Sequence, residues 1–308
     1  MELIKILVQE EDNHIRLDRL LRRNYPDMSQ GLIEKSLRKN LIRVNGKKAL
    51  ANTRLASNDE VQLAQFIADN IVVMPKRSPI PVVNADIEKI KKAIIYQDSD
   101  IIVINKPSGL AVQGGSKITK SVDAILEYLK FGYDERPKLV HRIDKDTSGI
   151  LLIARRTAIA AKLSACFRNK TIEKYYWALV KGKPLKEEGK ISNLIHKQER
   201  STPDSDQDSK EAITYYKIMD YVHEQVAWLE MMPITGRTHQ LRIHAMQLGC
   251  PIVGDRKYGM DTYIEGAANK LHLHARKMII RNFNGRDLEF TAPVPAHMKD
   301  SFKFFGIS

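Results

Sequence analysis

Cysteine and long apolar runs are both scarce in this sequence of 308 residues. Cys166 and Cys250 lie far apart and outside any C-x-x-C pair, which fits reduced thiols in a cytosolic protein better than a disulfide framework. The longest apolar stretch, residues 149–154, is far shorter than the roughly 18 residues that indicate a membrane-spanning helix. The first residues are acidic where a secretory signal is basic and then apolar. We therefore expect a cytoplasmic protein without a membrane anchor.

An excess of negative charge is also absent. The chain has 50 Lys and Arg against 37 Asp and Glu, a formal net charge of +13. A balance this basic indicates a polyanionic partner. Much of the excess lies in residues 14–54, which hold eleven Lys or Arg and three Asp or Glu. The content of apolar residues, 43%, and of charged residues, 28%, is ordinary for a globular protein.

Fingerprints of cofactor and metal sites are missing as well. The sequence contains no G-x-G-x-x-G dinucleotide fingerprint and no P-loop. Two histidine pairs, His239 with His244 and His272 with His274, have no H-E-x-x-H motif and no Cys or carboxylate at metal-binding spacing beside them. We therefore expect no metal site and no nucleotide-cofactor site of these kinds, and interpret these histidines as structural or as facing a nucleic acid.

The length suggests two domains, a catalytic one and a smaller accessory one. Apolar residues at helical spacing predict helices near residues 17–21 and 32–37, and Asn45-Gly46 predicts a tight hairpin turn. A stretch with Pro75, Pro79 and Pro81 breaks the periodicity, as a linker does. The predicted division is a first domain over residues 1–74, a linker over 75–92 and a second domain over 93–308.

The second domain mixes two kinds of pattern. Strand-like apolar runs at residues 101–104, 150–153 and 176–180 alternate with helical patterns at 122–129 and 158–167. This mixture predicts an α+β domain with a sizeable sheet.

Two polar strings in this domain are candidates for chemistry. Residues 140–149, V-H-R-I-D-K-D-T-S-G, lead directly into an apolar strand, where sites are commonly built. On composition alone, a capped loop whose Asp, Ser and Thr side chains bind their own backbone is the commoner case. Residues 236–244, G-R-T-H-Q-L-R-I-H, combine arginine and glycine in a way that suits an anion site, and residues 240–243 fit a strand or a helix start equally well.

Together with I-N-K-P-S-G over residues 104–109, these strings occur in the order typical of pseudouridine synthases of the large-subunit ribosomal RNA family. The chain closely resembles that family over residues 93–300. A-V-Q-G-G-S over residues 111–116 is most similar to the ribosomal large subunit pseudouridine synthase C type, with Gln113 where a His is expected. The basic first segment resembles the S4 RNA-binding domain, through R-L-D-R-L-L over 16–21 and I-R-V-N-G-K over 42–47.

The resemblance implies an α+β fold in which a mixed, largely antiparallel central sheet with flanking helices carries a catalytic cleft, plus a small S4-like α+β domain. It implies isomerisation of specific uridines to pseudouridine in 23S ribosomal RNA of the large-subunit precursor, by a monomer without cofactor. Three alternatives stay open. They are a synthase acting on transfer RNA, a non-catalytic ribosomal-RNA-binding protein, and a nucleoside hydrolase, although such hydrolases usually activate water with a metal.

The resemblance also assigns roles to residues. Asp144 is the catalytic carboxylate acting on a flipped-out uridine, and Arg242 is the guanidinium that keeps it ionised, with Arg237 as the fallback. Tyr176 stacks on the target base and assists proton removal from C5. Strand alternation allows only one of Tyr175 and Tyr176 to do so.

Further assignments concern the RNA. The resemblance implies that Leu241 forms the apolar floor beneath the base and that Arg142 fills the space left by the extruded uridine. RNA affinity is expected chiefly from the basic first segment. The candidate RNA-binding residues there are Lys35, Arg38, Lys39, Lys47 and Lys48.

Overall fold

A computed structural model of the chain describes residues 2–69, 83–114, 120–196, 209–259 and 264–307. The chain divides into two compact units, Met1–Ile80 and Pro81–Ser308. Three prolines used to predict the linker, Pro75, Pro79 and Pro81, lie outside the described residues, as do Gly115 and Ser116 of the string at 111–116.

The first unit is built on a four-stranded antiparallel sheet of order β1-β4-β2-β3. Its elements, with a 3-10 turn at Glu10–Asp12, are β1 (Leu3–Leu7), α1 (Leu17–Asn24), α2 (Gln30–Arg38), β2 (Ile42–Val44), β3 (Lys47–Lys48), β4 (Glu60–Ala64) and α3 (Gln65–Asp69). The two helices and the hairpin predicted from leucine spacing and Asn45-Gly46 are therefore present.

Local sequence explains these elements. Leu17, Leu20 and Leu21 bury one face of α1 in the core of the unit. Ser29 caps α2, because its side chain accepts a hydrogen bond from the backbone N–H of Leu32 at 3.2 Å. Asn45 and Gly46 both have positive φ, as a two-residue hairpin turn requires.

The second unit is larger. Its elements, with a 3-10 turn at Leu126–Leu129, are α4 (Asn84–Lys92), β5 (Ile94–Gln97), β6 (Ile101–Lys106), α5 (Val122–Ile125), β7 (Lys138–Leu139), β8 (Ser148–Ala154), α6 (Thr157–Arg168), β9 (Ile172–Lys181), β10 (Glu188–His196), β11 (Ser209–Val222), β12 (Val226–Pro233), α7 (Gln240–Gln247), β13 (Leu273–Phe283), β14 (Arg286–Thr291) and α8 (Ala296–Phe305).

Ten of these strands form one sheet, with main order β10-β11-β12-β9-β13-β8-β6-β5; β14 pairs with β13 and β7 with β8. Its strand pairs are antiparallel except β13 with β8, which run parallel over two residue pairs. Helices flank the sheet. This confirms the predicted α+β fold with a largely antiparallel central sheet.

Both faces of the central strands are covered. In β6 and β8, Ile101 and Leu152 pack in one cluster with α6, whereas Ile102 and Leu151 pack in another with α4 and α5. Burial on both faces explains why these strands are continuous apolar runs rather than alternating patterns. None of the described helices is long and apolar enough to cross a membrane.

The predicted linker reaches too far along the chain. Residues Asn84–Lys92 form α4, whose Ile87 and Ile90 are buried in the core of the second unit. The prolines that indicated a linker all precede this helix, so the boundary at residue 92 is corrected to lie before Asn84.

Gly149 sets how β8 enters the sheet. Its φ is +106°, and a Cβ at this position would lie 2.3 Å from the carbonyl oxygen of Ala275 in β13. Only glycine permits this close approach of the two backbones. The string at 140–149 therefore ends at a fixed point of the sheet, and its polar residues lie at or just before the start of β8, an interior strand.

Candidate active site

The two polar strings meet at one cavity of about 540 Å³, together with residues of β9. Its volume is in the range of small-molecule sites. All six second-unit site residues predicted from the sequence line this cavity: Arg142, Asp144, Tyr176, Arg237, Leu241 and Arg242. The candidate RNA-binding lysines and arginine belong to the first unit, where all five are exposed.

A buried lysine holds the loop that carries Asp144. Lys106, fully buried at the end of β6, donates hydrogen bonds from Nζ to the carbonyl oxygens of Pro107, Leu110 and Lys145 at 2.8, 2.8 and 2.9 Å. Burial lowers the pKa of Lys106 to about 7, against the charges of Asp146 and Asp144, which raise it. Lys106 of the N-K-P string therefore fixes the backbone of the Asp144 loop. The sequence analysis did not assign this role to it.

The other end of the loop is fixed by His141. Its Nε2 accepts a hydrogen bond from the backbone N–H of Leu152 at 2.7 Å, and its ring stacks on Phe167 with centroids 4.7 Å apart. Burial lowers the pKa of His141 to about 3, so the ring stays neutral and can accept this bond. His141 anchors the loop to β8.

Asp144 lies at the cavity wall with its side chain 22% exposed. Its ionisable neighbour is His239, whose Nε2 lies 4.0 Å from Oδ2. Within the described ranges, no Lys or Arg nitrogen lies within 4.0 Å of this carboxylate. The carboxylate is therefore accessible from the cavity and is not engaged in a direct pair with a guanidinium.

His239 is held in a defined orientation. Its backbone is in the left-handed region at the start of α7, and its Nδ1 hydrogen-bonds the hydroxyl of Tyr258 at 2.8 Å. Burial lowers the pKa of His239, Asp144 raises it and Arg242 lowers it, with a net value below the ordinary one. A neutral imidazole at neutral pH, turned toward Asp144, is a feature that the sequence analysis missed.

Arg242 makes its ion pair with Asp255. Its Nε and Nη2 each donate to Asp255 at 2.7 Å, and both side chains are buried. The guanidinium predicted to lie near Asp144 thus lines the same cavity, but its hydrogen bonds go to another carboxylate. Burial lowers the pKa of Arg242, but Asp255 and then Asp144 raise it above its ordinary value. Asp144 thus feels the charge of Arg242 without a hydrogen bond to it.

Asp255 is a further residue to which sequence reasoning gave no role. Besides Arg242, the backbone N–H groups of Lys257 and Tyr258 donate to its Oδ1 at 2.9 and 3.1 Å. Burial raises the pKa of Asp255, but these hydrogen bonds and the Arg242 charge bring it below its ordinary value. The only signal in the sequence was an aspartate directly after the apolar run I-V-G.

Arg237, the fallback partner, binds the backbone of β11 and makes no ion pair with Asp144. Its Nε donates to the carbonyl oxygen of Glu211 at 3.0 Å, and its backbone N–H donates to Oε1 of Gln240, also at 3.0 Å. Gln240 starts α7, so the segment that fitted a strand or a helix start is helical.

Tyr176 and Tyr175 face opposite sides of β9, as strand alternation requires. Tyr176 lines the cavity of Asp144, and its hydroxyl has no hydrogen-bond partner among the described residues. Burial, and then the charge of Asp144, raises the pKa of Tyr176. Tyr175 lines a separate pocket, where its hydroxyl donates to Glu173 at 2.8 Å.

Comparison with known proteins identifies the family of this chain. The family model RNA pseudouridylate synthase matches residues 100–247. The chain is 44% identical over 294 residues to ribosomal large subunit pseudouridine synthase C of Rickettsia bellii, covering 92% of this chain and 95% of that protein. The chain belongs to the RNA pseudouridylate synthase family. It is accordingly an RNA pseudouridine synthase, an isomerase, as the sequence predicted.

Two further proteins agree with this assignment. The synthase is 42% identical over 299 residues to ribosomal large subunit pseudouridine synthase C of Rickettsia felis, covering 93% of this chain and 95% of that one. Among solved structures, Human RNA Pseudouridylate Synthase Domain Containing 4 is similar, with a TM-score of 0.64, 26% identity and coverage of 72% of this chain and 96% of that one.

The floor and rim of the cavity in this synthase differ in character. Leu241 is buried and joins the apolar core beneath the cavity, whereas Arg142 is exposed at its rim. Exposed Arg168 and Lys170 also line the cavity. The site therefore has an apolar floor and a cationic entrance.

The other three histidines of the two pairs, His244, His272 and His274, have structural partners. His244 hydrogen-bonds Asn193, His272 hydrogen-bonds Ser301 and His274 hydrogen-bonds Ser148, each at 2.9 Å. Burial lowers the pKa of all three to about 4. Within the part of the chain that the structure describes, no group of three or more His, Cys, Asp or Glu is placed to hold a metal ion.

Proposed function

We propose that this synthase converts specific uridines of 23S ribosomal RNA to pseudouridine, with Asp144 as the catalytic carboxylate. The observation that carries the proposal is the partly exposed Asp144 carboxylate, which shares one cavity with Tyr176 and with the cationic rim. The matching relatives named for the large ribosomal subunit favour ribosomal over transfer RNA.

In the proposed reaction, the bond between N1 of uracil and C1′ of ribose breaks, the base turns, and C5 bonds to C1′. C5 loses a proton and N1 gains one, so substrate and product are isomers. An ionised carboxylate serves at such a glycosidic centre as nucleophile or charge stabiliser. Asp144 has this role, and the guanidinium of Arg242 lies close enough for the two charges to interact.

Tyr176 and Leu241 would hold the base. The aromatic ring and the apolar floor offer stacking surfaces to an extruded uracil, and the unpartnered Tyr176 hydroxyl can hydrogen-bond the base while C5 loses its proton. Extrusion costs roughly a few kcal/mol. Arg142 at the rim offsets this cost by filling the vacated position in the RNA.

The first unit would supply much of the affinity. We propose that residues 1–74 are an S4-like RNA-binding domain whose exposed Lys35, Arg38 and Lys39 lie in or next to α2 and whose Lys47 and Lys48 form β3. None of these five side chains forms an ion pair with a described carboxylate. Each phosphate that they neutralise releases condensed counterions from the RNA. We also propose that the enzyme acts in the cytoplasm, and as a monomer because one chain contributes every group of the cavity.

The test uses the purified full chain with unmodified transcripts of 23S ribosomal RNA and, separately, of transfer RNAs. Chemical mapping of pseudouridine is expected to show new sites in the ribosomal transcript and none in transfer RNA. Mapping in cells that lack the gene should show loss of the same sites. Modification of transfer RNA alone, or binding of 23S RNA without isomerisation, would refute the proposal.

A further inference from the structure

A second cavity, of about 950 Å³, adjoins the active site of the second unit. His239 and Arg242 line both cavities. The second cavity is also bordered by residues 107–109 next to the Asp144 loop, by the loop around Lys257 and by residues 269–271. It therefore shares the wall formed by His239 and Arg242 with the active-site cavity.

The walls of this second cavity are cationic. Arg256, Lys257 and Lys270 line it and all three are exposed. No side-chain nitrogen of these three residues lies within 4.0 Å of a carboxylate oxygen of any described residue. Asp146 also lines the cavity, so unpaired cations outnumber carboxylates there by three to one. Concave walls concentrate the field of such charges, and this favours an anionic ligand.

The backbone that carries these cations is fixed in place. Asp255 accepts hydrogen bonds from the backbone N–H groups of Lys257 and Tyr258, and its own carbonyl accepts from Gly259. Gly254 has a φ of +74°, and a Cβ there would lie 1.9 Å from the carbonyl oxygen of Lys270. This close approach brings the Lys257 loop against the Lys270 segment. The ion pair of Arg242 with Asp255 links both to the active site.

We propose that this second cavity binds phosphodiester groups of the RNA strand that flanks the extruded uridine. This inference rests on the proposed function, because a uridine held in the first cavity leaves its neighbouring nucleotides at the shared wall of His239 and Arg242. Lysine and arginine contacts to phosphate fix the register of a nucleic acid without reading its sequence. Arg256, Lys257 and Lys270 would thus position the strand so that the target base reaches Asp144.

The test compares two triple variants of the full chain that lose the same charge. The first is R256Q/K257Q/K270Q. The control is K89Q/K92Q/K186Q, which removes three exposed lysines of the same unit that line neither cavity. The dissociation constant of a 23S transcript is measured over a range of KCl concentrations, and circular dichroism verifies that each variant is folded.

Each phosphate contact to a single strand contributes about 0.7 to the slope of log Kd against log [KCl]. The first variant is expected to lose about 1.5 to 2 from this slope, and the control less than about 0.5. Affinity at 150 mM KCl should fall about tenfold or more in the first variant and less than about threefold in the control. Equal loss of slope in the two variants would overturn the inference.

A single substitution covers the case in which the triple variant does not fold. Lys257→Gln alters only an exposed side chain and is expected to reduce the slope by about 0.7. An unchanged slope would contradict the inference. Binding is measured without turnover, so a wild-type protein that binds RNA but forms no pseudouridine would refute the proposed function alone.

Discussion

Arg242 donates both hydrogen bonds of its guanidinium fork to Asp255, at 2.7 Å each, and none to Asp144 on the same cavity. The proposed catalytic carboxylate and its nearby cation are therefore held by different partners. Asp255 fixes the orientation of Arg242, and Lys106 and His141 fix the loop of Asp144. The carboxylate keeps its accessible oxygens for the substrate.

Substitution of Asp255 should lower the free energy of unfolding of the second unit. Asp255→Ala leaves the buried Arg242 guanidinium without its partner, and breaking a buried pair in this way costs about 3–5 kcal/mol. Urea denaturation measures the change. The control is Asp287→Ala, since the pair of Asp287 with Arg281 is solvent-exposed and its loss should leave the midpoint nearly unchanged. Equal shifts for the two variants would contradict a structural role of the Arg242–Asp255 pair.

The two adjacent tyrosines of β9 provide a matched comparison. Tyr176→Phe keeps the ring but removes the hydroxyl that faces Asp144, so the single-turnover rate of pseudouridine formation should fall by about 100-fold. Tyr175→Phe removes a hydroxyl on the opposite face and should change this rate by less than about twofold. RNA affinity should change little in either variant. Equal rates in both would refute the role of the Tyr176 hydroxyl.

The buried histidines should make the second unit sensitive to acid. Burial lowers the pKa of His141 to about 3 and of His244, His272 and His274 to about 4. Below the unfolded value near 6.5, the unfolded chain binds more protons than the folded one, so stability falls as pH falls from about 6.5 to 4. Near pH 5.5, the four histidines together should lower the free energy of unfolding by roughly 5 kcal/mol for each pH unit of acidification.

Urea denaturation at a series of pH values measures this proton uptake. His244→Gln should reduce the uptake by about one proton, whereas the exposed His223→Gln serves as the control and should leave it unchanged. A flat stability between pH 6.5 and 5 would contradict the neutral, buried state of these rings.

Deletion of the first unit should separate binding from catalysis. Residues 81–308 contain the complete large sheet and every residue of the candidate active site, so this fragment is expected to fold and retain isomerase chemistry at high RNA concentration. Its RNA affinity should fall, and with it the salt dependence of binding, because the basic cluster of the first unit is lost. Gel filtration, circular dichroism and RNA binding measure these properties. Aggregation of the fragment would contradict the two-domain division.

Much of the fold followed from local patterns. Apolar runs predicted β6, β8 and β9, and leucine spacing predicted the helices of the first unit, because burial on one or both faces leaves a periodic signature. The boundary before α4 was missed, since prolines mark where regular structure stops but not where the next helix begins. The pairing order of the ten strands depends on long-range contacts that no short window contains.

The sequence predicted which residues form the site but not the contacts that hold them in place. Resemblance placed Asp144, Tyr176, Arg142 and Leu241 together, and all four line one cavity. The Asp255 pairing was not predicted, because an ion pair between a helix and a distant loop has no spacing rule in sequence. Lys106 was likewise not assigned a role. A lysine is normally exposed, and only its three carbonyl acceptors show why this one is buried.

The central claim is the role of Asp144, and the direct measurement is pseudouridine formation by Asp144→Asn in the full chain with a 23S transcript. The substitution keeps the size of the side chain but removes its charge. We expect a folded protein with nearly unchanged RNA affinity and a rate at least about 1,000-fold below wild type. A variant that still forms pseudouridine at a rate near that of the wild type would contradict the assignment of Asp144 as the catalytic carboxylate.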